Sequence, residues 1–163
     1  MVTKKKHYWN IVIMSYALIL AFAIVDIIGA GLWAAKGGWT GQAYTTAGSV
    51  YQTIFWTLAL LVIAATAITY YLIKKDKSEA IALFFIPIIL LQFGVEDVLF
   101  YLLKGLNLFQ DTMPWLTGNL WPPTIIAYAL GQNIINGGIL FISAIIGIIL
   151  SFIVAKQLEK IKG

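Results

Sequence analysis

Residues 9–33 read WNIVIMSYALILAFAIVDIIGAGLW, an apolar run of 25 residues with a single charge, at Asp26. An α-helix needs about 20 consecutive apolar residues to cross a membrane, whereas the apolar core of a secretory signal peptide has only about 7–15. The run therefore predicts a retained membrane-spanning helix, although lysines precede it and two alanines follow it, as in a signal peptide.

Three more apolar runs follow, and the sequence predicts an all-α fold: an integral membrane four-helix bundle that forms one transmembrane domain. Each run is long enough to cross the hydrocarbon at ~1.5 Å per residue. Pro87 falls inside the third helix, where its missing N–H favours a kink. The predicted helices cover residues 9–33, 50–73, 80–103 and 124–155, and an outer amphipathic connection covers residues 105–123.

The composition supports this prediction. The chain is 61% hydrophobic and only 11% charged, with a mean hydropathy of +0.89, whereas soluble domains have about 25% charged residues. A water-soluble chain this apolar could not cover its surface with polar groups. The chain has no cysteine, which excludes disulfides, thiolate metal sites and a cysteine nucleophile.

The lysines predict the orientation. All eleven basic residues are lysines: three precede the first helix, three lie in the turn at 74–79 and three in the C-terminal tail, while Lys36 and Lys104 lie on the other side. Because cytoplasmic loops are enriched in basic residues, both termini are predicted to be cytoplasmic, in a multi-pass protein of the cell membrane. Lysines that flank apolar runs do not form a nucleic-acid-binding surface, so no nucleic-acid partner is expected.

The candidate functional residues fall in the outer half of the predicted bundle, and the inner half is nearly pure Ile, Leu, Ala and Phe. A carboxylate at the centre of a membrane helix costs about 2.5–3.5 kcal/mol on insertion scales, so three carboxylates must face inward, be neutralised or contact water. We predict that Glu96 and Asp97 are the catalytic acid or base. The predicted ligand-binding residues are Asp26, Gln92, Tyr101, Gln132, Asn133 and Asn136.

The same residues also have purely structural interpretations. Asp26 lies near a helix end, where it can be interfacial, and amides in membrane helices more often join helices than bind ligands. Glu96 and Asp97 can form a structural pair, bonded to amides of the fourth helix or to Tyr51. No metal site is predicted, because His7 is the only histidine and has no second ligand near it, and the sequence leaves the cofactor unknown.

Residues 94–101, GVEDVLFY, resemble the paired-acid-then-aromatic motif of the small membrane carotenoid (lycopene) cyclases. Asp26 followed by Trp33 is loosely similar to another segment of that family. The resemblance implies acids that drive ring closure of an isoprenoid chain by proton transfer. The chain departs from the family pattern, since no proline precedes the acids, the second acid is Asp97, and an extra helix separates the two segments.

Three functions fit these residues. The first is a membrane enzyme or binding protein in which Glu96 or Asp97 acts as acid or base on a lipid-soluble substrate, including an isoprenoid. The second is a proton or cation path in a homo-oligomer, since carboxylate and amide oxygens suit hard cations. The third is a non-catalytic subunit of a membrane complex, whose acids pair with a partner helix. An enzyme predicts an elongated apolar pocket beside Glu96, whereas a subunit predicts that Glu96 and Asp97 face outward.

Overall fold

The computed structural model describes residues 5–35, 43–110 and 122–161, which fold into helices and the turns between them. The predicted all-helical class is therefore confirmed for this part of the chain. The elements are α1 (Lys5–Ala35), α2 (Ala43–Lys74), α3 (Lys77–Gln92), α4 (Val95–Lys104), a 3₁₀ turn (Leu108–Gln110), α5 (Pro122–Ala129) and α6 (Gly137–Ile161).

Three helices are long and apolar enough to cross a membrane: Trp9–Gly29 of α1, Thr53–Lys74 of α2 and Gly137–Gln157 of α6. The pair α3 and α4 passes the same test when taken together, but the two helices are bent by 63° at the break between them. The chain therefore has three candidate spans, or four if the bent pair counts as one. This result supports a multi-pass membrane protein.

The predicted continuous helix over residues 80–103 is wrong, because the chain leaves the helix at Phe93 and Gly94. Gly94 has a φ of +77°, a left-handed conformation that glycine adopts without steric cost. A Cβ at Gly94 would also collide with the Leu140 side chain of α6. The break therefore occurs at the glycine, whereas Pro87 lies inside α3.

The predicted continuous helix over residues 124–155 is also wrong. The helix α5 ends at Ala129, and Gly131, with a φ of +70°, lies in the connection that follows. Asn136 then starts α6, since its side-chain oxygen accepts the N–H of Ile139 at 3.0 Å. Asparagine at this position satisfies an N–H that has no partner within the helix. Gln132 and Asn133 consequently lie in a connection instead of a helix.

The centre of the packed helices is α3, which contacts α1, α2 and α6, while α4 packs against α1 and α6. Fully buried side chains on these helices include Ile19, Leu83, Ile86 and Leu140. In contrast, α2 has few contacts with α1 and exposes much of its apolar surface, for example Leu61 and Ile73. Such a face suits contact with lipid.

Contacts between side chains place the lysine-rich segments at one end of the protein. Near the start of α1, the Trp9 ring packs edge-on against Phe152 of α6, at 6.1 Å between centroids. Met14 of α1 and Tyr70 of α2 line the same groove, and Tyr70 donates a hydrogen bond of 2.5 Å to Glu79 of α3. The start of α1, the turn between α2 and α3, and the end of α6 therefore lie together.

Candidate functional site

The two adjacent acids lie in the first turn of α4, directly after the helix break. The Glu96 side chain is only 5% exposed, and Asp97 is half-buried. The unpaired N–H groups at a helix start carry a partial positive charge, which stabilises a nearby carboxylate. The break between α3 and α4 thus creates a favourable place for two acids between apolar helices.

Asp26 of α1 joins these two acids, because α4 packs against α1. The charge of Asp26 acts on both Glu96 and Asp97, so the three carboxyl groups lie within electrostatic range of one another. Lys104, at the end of α4, in turn attracts Asp26. We call Asp26, Glu96 and Asp97 the acid cluster. In the ranges that the structure describes, no three acidic or histidine side chains are arranged to hold a metal ion.

Tyr51 of α2 completes the site, and its bond to Asp26 was not predicted. Its hydroxyl donates to the Asp26 carboxylate and also lies 3.3 Å from the Asp26 carbonyl oxygen. Gly29, one turn after Asp26, makes room for the ring, since a Cβ there would lie 2.6 Å from the Tyr51 hydroxyl. Asp26 therefore has a hydrogen-bond donor, and a tyrosine joins α2 to α1 at this end.

We expect Tyr51→Phe to lower the free energy of unfolding by about 1.5–3 kcal/mol, the range for hydrogen bonds to charged groups. The substitution keeps the ring and removes only the donor, so Asp26 is left half-buried without its tyrosine partner. Thermal unfolding in detergent would measure the change. Tyr128→Phe is the control, since the Tyr128 side chain is 61% exposed. Equal effects of the two substitutions would contradict this assignment.

Two buried polar atoms have no hydrogen-bond partner among the described residues: Oε1 of Glu96 and Oγ of Ser143. Ser143 lies on the face of α6 that packs against the helix break, since a Cβ at Gly147 would collide with Phe93 and one at Gly94 would collide with Leu140. Buried polar groups in proteins nearly always have a partner, and an exception calls for an explanation such as water or a ligand. Both exceptions lie beside the break.

The other predicted ligand-binding residues lie in different settings. Gln92 ends α3 and is half-buried, so the break separates it from the helix that carries Glu96. Tyr101 is buried in α4 and belongs to the apolar core. Asn136 caps α6, which is a structural role, and Gln132 and Asn133 are exposed in the connection before it. Of the predicted residues, the structure thus brings together Asp26, Glu96 and Asp97.

Two open grooves flank α2 away from the acid cluster. One, between α2 and α3, has a volume of about 480 Å³, and the other, between α1 and α2, has about 400 Å³. Both are lined mainly by apolar side chains from the lysine-rich half of the protein. Neither groove is therefore the elongated pocket that an enzyme was expected to have beside Glu96.

In comparisons with known proteins, no family model, curated protein or solved structure matches the chain. The resemblance of residues 94–101 to the lycopene cyclases therefore rests on that short sequence segment, without support from the comparisons. The chemistry of the acid cluster is therefore inferred from its own geometry.

Proposed function

We propose that the chain is a multi-pass protein of the cell membrane that uses Glu96 and Asp97 for acid–base chemistry on a lipid-soluble substrate. The observation that carries the proposal is the buried Glu96 carboxyl oxygen, which has no partner in the part of the chain that the structure describes. Such an oxygen is free to exchange a proton with a bound molecule, because no neighbouring group occupies it.

The three carboxyl groups then have different roles. Asp26 accepts a hydrogen bond from Tyr51 and is thereby held in place, so it acts as the fixed member that orients the site. Glu96 has the free oxygen and transfers the proton. Asp97 is its neighbour on α4, and mutual repulsion of adjacent charges in apolar surroundings favours a proton shared within the cluster.

The location of the site supports a lipid-soluble substrate. Glu96 follows a helix break within a candidate membrane-spanning pair, and its neighbours in the core are apolar side chains such as Val95 and Val98. A substrate that reaches this depth must itself partition into hydrocarbon. An isoprenoid chain is one such substrate, and the resemblance of residues 94–101 to the lycopene cyclases supports it.

A hydrophobic carbodiimide tests the proposal, because it enters the membrane and reacts with protonated carboxyl groups. We expect dicyclohexylcarbodiimide to modify Glu96 in the purified protein, as detected by peptide mass spectrometry. Glu96→Gln should abolish this modification, and added isoprenoid lipids should slow it. Glu79→Gln is the matched control, since Glu79 is also buried but accepts a hydrogen bond from Tyr70.

Failure of Glu96 to react, or an equal reaction at Glu79, would contradict a special role for Glu96. The same experiment distinguishes the second candidate, a proton or cation path in an oligomer. Protection of Glu96 by sodium or potassium ions, with no effect of isoprenoid lipids, would favour that candidate over a lipid-soluble substrate.

One observation favours the second candidate. The inner half of the protein is less apolar than the sequence suggested, because the hydroxyls of Ser15, Ser143 and Ser151 are fully or almost fully buried there and beside the break. Tyr16 also pairs with Ser151 at 3.2 Å, between α1 and α6. These groups place buried hydroxyls between the helix break and the lysine-rich end, although no hydrogen bond joins them to the acid cluster among the described residues.

The third candidate, a subunit whose acids pair with a partner helix, has less support. It requires acids that face outward, whereas the Glu96 side chain is only 5% exposed. A partner cation could reach Glu96 only if α4 moved away from α1 or α6, the two helices against which it packs.

A further inference from the structure

We propose that the groove between α2 and α3 binds an anionic phospholipid, with the phosphate at Lys77 and an acyl chain along the groove. The groove volume of about 480 Å³ falls within the range of about 300–1,000 Å³ that small-molecule sites occupy. Its walls are apolar, and they include Ala64, Ala67 and Ile68 of α2 and Ala80, Phe84 and Phe85 of α3.

The direction of the groove matches that of an acyl chain. On α3 the lining runs from Lys77 to Phe85, and on α2 it runs from Tyr71 to Ala64. Both helices lead away from the same turn, so the groove extends about 10–12 Å at ~1.5 Å per residue. It begins at the charged end of the protein, at headgroup level, and continues toward the centre of the membrane.

Residues 74–79 carry three lysines against two acids, Asp76 and Glu79, so the excess positive charge favours an anionic ligand. Lys77 lines the mouth, and the exposed Lys74 and Lys75 belong to the same turn. The Lys75 ammonium group lies 6.0 Å from the centroid of the Tyr71 ring, which also lines the groove. Clusters of basic residues at the membrane surface attract anionic lipid headgroups.

The position of Lys77 in α3 supports a role in binding. Lys77 is the first residue of the helix, where the helix dipole disfavours a positive charge. Its charge therefore does not stabilise the helix that carries it. A phosphate group at this position would meet the Lys77 ammonium group, beside the Asp76 carboxylate that caps the helix.

The second groove provides a comparison within the same protein. It has a similar volume of about 400 Å³ and lies on the other side of α2, but no lysine lines it among the residues that the structure describes. Ala65 lines this second groove, whereas its neighbour Ala64 lines the first. The two alanines therefore allow the same substitution to be made on either side of α2.

Native mass spectrometry of the purified full chain tests the proposal, with phosphatidylglycerol and phosphatidylcholine of identical acyl chains as probes. We expect phosphatidylglycerol to bind more tightly, and Lys77→Gln to weaken its binding about fivefold, the effect of one lysine near an anionic headgroup. Lys77→Arg should bind as the wild type does. Ala64→Trp should weaken the binding of both lipids, because it fills the groove.

Two controls make the test specific to this groove. Lys104→Gln removes a lysine at the other end of the protein, and Ala65→Trp fills the second groove; neither should alter phosphatidylglycerol binding. The proposal is overturned if the two lipids bind equally, if Lys104→Gln weakens binding as much as Lys77→Gln, or if Ala65→Trp has the same effect as Ala64→Trp. The acid cluster lies at the opposite end of the protein, so these results are independent of the proposed function.

Discussion

Gly137→Ala is expected to lower the free energy of unfolding by about 2–3 kcal/mol, at the upper end of the range for overpacked sites. A Cβ at Gly137 would collide with the backbone carbonyl of Leu108, in the turn that packs against the start of α6. A backbone atom cannot move aside by changing a rotamer, so the helix or the turn must shift. Chemical unfolding in mixed micelles would measure the loss.

The neighbouring glycine is the matched control for this substitution. Among the described residues, a Cβ at Gly138 would lie 3.3 Å from the Asn136 side-chain oxygen and within 4 Å of no other atom outside its own helix backbone and chain neighbours. Alanine is also favoured over glycine within a helix by up to about 1 kcal/mol, so Gly138→Ala should change stability little. Equal destabilisation by both substitutions would contradict a close contact between the Leu108 carbonyl and the start of α6.

Glu96→Met is expected to raise the free energy of unfolding by about 1–3 kcal/mol while abolishing the carbodiimide reaction. A charged group that is buried without a partner costs free energy, so an apolar side chain of similar volume at the same place should be more stable. At Glu96 no hydrogen bond within the described residues is lost from Oε1, because that oxygen has no partner there. Thermal unfolding of the purified variant, together with peptide mass spectrometry, would measure both effects.

Glu79→Met should have the opposite sign and lower stability by about 1.5–3 kcal/mol. Glu79 accepts a hydrogen bond from Tyr70, so its removal loses a bond to a charged group, whereas both acids lie in the first turn of a helix. A Glu96→Met variant that is destabilised as strongly as Glu79→Met would show that Glu96 is a structural acid. It would then count against the proposed role in proton transfer.

The helical class and the candidate spans could be predicted from the sequence because both depend on local apolar length. The run that includes Asp26 is longer than the membrane core requires, and the structure places it within a single helix, α1. The end of α2 and the start of α3 were also close to prediction, since Lys74 and Asp76 mark the turn between them. Asp76 caps α3 by accepting the Glu79 N–H at 3.0 Å.

The two helix breaks could not be placed from apolar periodicity, because apolar residues continue on both sides of each break. Gly94 was a visible signal, but isolated glycines are tolerated in membrane helices, and only its contact with Leu140 of α6 shows why the chain bends there. Gly131 and Asn136 likewise do not mark the second break by residue type alone. Their roles as turn and cap depend on where α6 begins.

The position of Asp26 along α1 followed from the sequence, since each residue advances ~1.5 Å along a helix, whereas the depth of Glu96 and Asp97 depends on the bend of 63° before α4. Their grouping depended on the packing of α4 against α1, which brings Asp26 within range of Glu96 and Asp97. Helical spacing determines which residues share a face, but it does not determine which neighbour that face meets. For this reason the bond between Tyr51 and Asp26, and the exposure of Gln132 and Asn133, are decided by the tertiary structure.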